Sequence, residues 1–125
     1  MTCTQAIVLP ADTSACLLAR RWMLERLTPL DLSVSRCDDI ILCVNELVAN
    51  AVQHTGSSPT LSLTIDHEIF VEISDDDASP ALPRRPMEAS DGGWGLNIVD
   101  QVADRWGSEP EEAGGKTVWS AFARW

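Results

Sequence analysis

Three sets of residues in this 125-residue chain have types and spacings suited to chemistry. Glu46, Asn50 and His54 recur at i, i+4 and i+8, so a helix would set them in one row. A carboxylate in that row can act as a base, and an amide oxygen can ligate a hard cation. Asp75 directly follows an alternating apolar run and is placed to act as a fixed hydrogen-bond acceptor at a strand end. Gly93-Trp94-Gly95 precedes a second amphipathic run. Glycines there allow close backbone approach, and the free amides of a helix N-terminus attract phosphate. Together these residues suit a magnesium-bound nucleotide. Magnesium takes oxygen ligands and keeps water, so one Asn oxygen plus phosphate oxygens suffices.

These residues need elements to position them. Thr4 to Leu9 reads as a short strand stopped by Pro10. Asp12, Thr13 or Ser14 can cap a helix from about Ala15 to Leu27, with Ala15, Leu18, Ala19 and Trp22 as its apolar stripe and Pro29 as its stop. Ser33 or Ser35 opens a second helix. Its stripe of Ile40, Val44, Leu47, Val48 and Ala51 leaves Glu46, Asn50 and His54 along the edge of the core. That helix ends at Thr55-Gly56.

Leu61, Leu63 and Ile65, then Ile69, Val71 and Ile73, alternate with polar residues and predict a hairpin turning at Asp66 to Glu68. The stretch from Ala78 to Ser90 shows no periodicity and reads as a functional loop. A third helix runs from Leu96 to about Ala103, with Leu96, Val99, Val102, Ala103 and Trp106 as its buried stripe. A second hairpin pairs Trp106 to Glu109 with Lys116 to Trp125 through Gly114-Gly115. The order β-α-α-β-β-loop-α-β-β predicts an α+β fold, a mostly antiparallel sheet with three main helices on one face, in one domain over 1–125.

Composition narrows the function. Apolar residues make up 45% of the chain, enough for a core without cross-links. Cys3, Cys16, Cys37 and Cys43 form no CxxC pair and are expected to be free, mostly buried thiols of a reducing compartment. No targeting signal or membrane-length apolar run is present, so a cytoplasmic location without a membrane partner is expected. Nine basic residues against 19 acidic ones, a net charge of −10, argue against direct nucleic-acid binding. The acidity serves solubility, or presents an acidic face to a partner with basic patches.

The sequence resembles the ATP-binding fold shared by histidine kinases, gyrase-type ATPases and anti-sigma-factor serine kinases, the GHKL family. ELVANAVQH at Glu46 to His54 resembles its N box. EISDDDASPALP at Glu72 to Pro83 stands in the place of its first glycine box. GGWGLNIVDQVADRWG at Gly92 to Gly107 resembles its second, and KTVWSAF at Lys116 to Phe122 resembles its closing strand. The early strand and ARRWMLERL fit the compact anti-sigma branch.

The resemblance implies a Bergerat-type sandwich that binds ATP and Mg2+. Asn50 would ligate the metal, Glu46 would polarise an attacking serine hydroxyl, and Asp75 would accept from the adenine amino group. Gly93 and Gly95 would let the phosphate loop close, Thr117 would sit near Asp75 and adenine, and His54 and Leu96 would complete the nucleotide site. A sigma factor, an antagonist protein that serves as phosphoryl acceptor, and a second copy of the chain are the implied partners.

Where the family reads Asp-x-Gly-x-Gly, this chain reads Asp75-Asp76-Asp77-Ala78-Ser79, without either glycine. A charge at Asp77 within ~8 Å of a phosphate would be repelled by roughly 2 kcal/mol at an effective dielectric of about 20. Retention of Glu46 and Asn50 still makes an anti-sigma-type serine/threonine kinase the expected function, while the lost glycines favour the alternative. The alternative is a non-enzymatic binding module on the same fold. A detached histidine-kinase catalytic domain fits less well, because no phospho-acceptor helix precedes the N box.

Overall fold

The computed structural model describes residues 2–55, 58–76, 95–111 and 114–124. Its elements are β1 (Cys3–Val8), α1 (Ser14–Leu27), a 3-10 turn (Thr28–Leu30), α2 (Val34–Thr55), β2 (Thr60–Ile65), β3 (Glu68–Asp75), α3 (Gly95–Val102), β4 (Arg105–Pro110) and β5 (Lys116–Ala123). The strands form one sheet in the order β1-β2-β3-β5-β4, every neighbouring pair antiparallel. The α+β class, the antiparallel sheet and the three helices are as expected. The stretch read as a functional loop, 78–90, lies outside the described residues.

Local chemistry explains the element ends. The Asp12 carboxylate accepts the Ser14 backbone N–H at 2.8 Å, so Asp12 closes the start of α1. The Ser14 hydroxyl also donates to that carboxylate, and the hydroxyl and then the N–H hold this carboxyl below its ordinary range. Ser33 Oγ accepts the Arg36 N–H at 3.0 Å and caps α2. Pro29 sits in the 3-10 turn that ends α1, and Asp31 leaves it at φ 56°, a left-handed conformation that Asp tolerates. The β2–β3 turn is tighter than expected. It consists of Asp66 and His67 alone, and Glu68 already belongs to β3, its N–H donating to Asp66 Oδ1 at 3.0 Å.

The core lies between the sheet and the helices. Leu61, Leu63, Ile69, Val71, Ile73, Val118 and Phe122 face it from the sheet, and Ile40, Val44, Leu47, Val48 and Ala51 face it from α2. α2 packs on α1, α3 and β3, which makes it the central helix. In α1 the stripe differs from the expected one. Ala15, Ala19, Trp22, Met23 and Leu27 are buried, while Leu18 is 40% exposed. A run from 15 to 27 holds more apolar residues than one face accommodates, and packing chose Met23.

The four cysteines are free. Only Cys43 is fully buried. Cys16 and Cys37 are half-buried, and Cys3 is exposed because β1 is an edge strand. Among the described residues no helix is long and apolar enough to cross a membrane.

Candidate functional site

α2 carries Glu46 and Asn50 one turn apart, both half-buried and flanked by the buried Leu47, Val48 and Ala51. The edge-of-core position inferred from the helical row is therefore where they stand. The charge of Glu46 reaches its surroundings. The Cys43 thiol is pushed up to about 12, first by burial and then by Asp39 and Glu46. Cys16 on α1 is raised by burial and then by Glu46. His54 lies in the last turn of α2, and its side chain is outside the described residues.

β3 delivers Asp75 on its core-facing side. Period-two alternation puts Ile69, Val71, Ile73 and Asp75 on one face and Phe70, Glu72 and Ser74 on the other. A carboxylate in that series has to be compensated. Its partner is Lys116, whose Nζ is 3.5 Å from Asp75 Oδ2, with both side chains at least 95% buried. The two residues are direct cross-strand partners in the β3–β5 pairing. Gly115 makes the approach feasible. At φ +82° it passes so close to Asp75 that a Cβ would lie 2.0 Å from the Asp75 carbonyl oxygen.

The structure does not bring Thr117 to Asp75. Thr117 faces the opposite side of the sheet, where its hydroxyl lies 3.0 Å from that of Ser74 and also donates to Glu111. A shift of one residue along a strand changes the face, so the position opposite Asp75 belongs to Lys116. Lys116 was legible in principle. It precedes Val118 and Phe122 on the core face of β5, and a lysine there needs a carboxylate.

Gly95 begins α3, and Leu96 and Val99 are buried against the core. Arg36 at the start of α2 pairs with Asp104 at 3.6 Å, and Asp104 accepts the Ala123 N–H at 2.6 Å, so the turn after α3 is tied to α2 and β5. Gly93, Asp77 and Ser79 lie outside the described residues.

A metal ion fits this chemistry in one way. No group of three or more His, Cys, Asp or Glu among the described residues could hold a metal by itself. The amide oxygen of a half-buried residue such as Asn50 suits a magnesium ion whose other ligands are phosphate oxygens and water. The protein would hold the ion chiefly through the nucleotide.

Comparison with known proteins bears on the family and the fold. A family model described as "Histidine kinase-like ATPase domain" matches residues 9–122. Among solved structures, the chain is similar to the RsbU and RsbW domains of Rv1364c from Mycobacterium tuberculosis, with a TM-score of 0.74 and 20% identity. That match covers 97% of this chain and 32% of the other, so the chain spans about a third of its length. No curated protein matches.

Proposed function

The chain belongs to the histidine kinase-like ATPase domain family, and from that premise we propose that it is an ATP-binding regulatory domain that transfers phosphate to a protein serine or threonine. The observation that carries the reading is the joint placement of three features on the helix side of the sheet. They are Glu46 and Asn50 at the edge of the core, the buried Asp75 across from Lys116, and the glycine that opens α3.

In this reading Asn50 holds magnesium and Glu46 accepts the proton of the attacking hydroxyl. The bound ion supplies charge neutralisation at the phosphates; the residues of the chain supply position. Asp75 presents an acceptor to the base, and Lys116 adds a donor beside it, so the base meets an acceptor–donor pair. Leu96 and Gly95 border the phosphate end, with Gly93 and His54 assigned there by sequence. Thr117, on the other face beside Ser74, takes no part in it. The anti-sigma role, with a sigma factor and an antagonist as partners, is supported by the resemblance of the N box, the second glycine box and ARRWMLERL to that branch of the family.

A second reading is a binding module with little ATP use. It is favoured by the Lys116 ammonium on the carboxylate that would read adenine. Glu46→Gln separates the two. As a kinase, the variant retains ATP and loses phosphoryl transfer to an antagonist by ~10²-fold or more. Equal transfer by both proteins would remove Glu46 from the chemistry.

A further inference from the structure

We propose that the outer face of the sheet, opposite the helices, carries a second binding site, a groove that takes an arginine-bearing segment of a partner protein. This goes beyond the nucleotide reading and uses none of its residues.

The groove has a volume of about 460 Å³ and runs over β3, β5 and β4. Its floor is aromatic. Phe70 and Trp119 stack with ring centroids 5.4 Å apart and planes at 27°. Gly107 on β4 makes room for the indole, since a Cβ there would lie 2.8 Å from its ring atoms. A Trp on the solvent side of a sheet, seated over a glycine, presents a broad ring face.

The walls are charged unequally. Arg105 approaches the Trp119 ring at 5.9 Å, but its charge is already met by Glu68 at 2.5 Å. Glu72, Glu109 and Glu111 line the rest. Among the described residues none of these three carboxylates is in an ion pair, and Thr117 donates to Glu111. The Glu72 carboxyl is held above its usual range by burial and then by Glu109 and Glu111. The three acids therefore repel one another, and an incoming cation relieves that repulsion.

A planar guanidinium suits this combination best. It stacks on an indole face and forks to a carboxylate, which a compact ammonium does not do. The groove holds several residues, and it borders β4, the terminal strand of the sheet. Among the described residues no strand pairs with the outer edge of β4, and an extended peptide can lie against it. Charge complementarity with a chain of net charge −10 gives the segment its sign.

The test uses the whole protein and an acetylated, amidated tri-arginine peptide, followed by NMR of the indole N–H signals. The Trp119 signal should move saturably, and the tri-citrulline counterpart should not move it at the same concentration. Glu72→Gln with Glu109→Gln should weaken binding about tenfold. Glu25→Gln with Asp38→Asn, which removes the same charge from the helices, should leave affinity within about twofold. Trp119→Leu should weaken binding further, and the glutamate variants decide the matter if that variant does not fold. Equal loss in the two charge-matched double variants would reduce the effect to net charge and overturn the proposal. Spermine binding as tightly as the peptide would overturn the arginine assignment, and so would a Trp119 signal that never moves.

Discussion

Lys116→Met is the perturbation with the largest expected effect per atom removed. The side chains are similar in length, so packing is nearly kept while the ammonium 3.5 Å from Asp75 is lost. At that distance and an effective dielectric of about 20, the attraction is about 5 kcal/mol. Deleting one partner of a buried pair typically costs about 3–5 kcal/mol, because the other charge stays buried. For a domain of this size the melting temperature should fall by about 10–20 °C. Both residues make further contacts, so a double-mutant cycle is needed to isolate the pair. Asp75→Asn with Lys116→Met should recover at least half of the loss. Urea titration of the four proteins gives the coupling energy. A single variant within about 1 kcal/mol of wild type, or a coupling below that, would refute the claim that Asp75 depends on Lys116.

Other perturbations probe the turn and the outer face. Gly115→Ala should cost at least about 3 kcal/mol, combining left-handed strain with a clash on the Asp75 carbonyl. Gly114→Ala, at φ +91° in open space, should cost only about 1–2 kcal/mol by the same thermal melts. The Glu72 carboxyl sits above its usual range, so the folded state binds its proton more tightly than the unfolded chain does. Its contribution is favourable at low pH and is lost as pH rises from the ordinary glutamate value through the folded one. Glu72→Gln should therefore raise the melting temperature at pH 7 and give no such gain near pH 4.

Much of this was legible in the sequence because its signals are local. The period of α2 placed Glu46 and Asn50 at the edge of the core, and the paired glycines before Lys116 marked a turn that does adopt positive φ. The α1 stripe was less legible, because the choice between Leu18 and Met23 depends on what the helix packs against. The place of Thr117 was not legible for a related reason. Which of Lys116 and Thr117 faces Asp75 depends on cross-strand register, a long-range property. The outer groove needed three strands in register before Phe70, Trp119 and Gly107 could be seen to meet.

In the proposed function, α2 and the end of β3 build a magnesium–nucleotide site around Asn50 and Asp75. Calorimetric titration of Mg-ATP into wild-type protein and Asn50→Ala, each checked by circular dichroism, tests it most directly. The wild type should bind saturably and only with magnesium, and a variant that remains folded should lose that binding. Equal affinity in the two proteins, or no heat from the wild type at millimolar ATP, would contradict it.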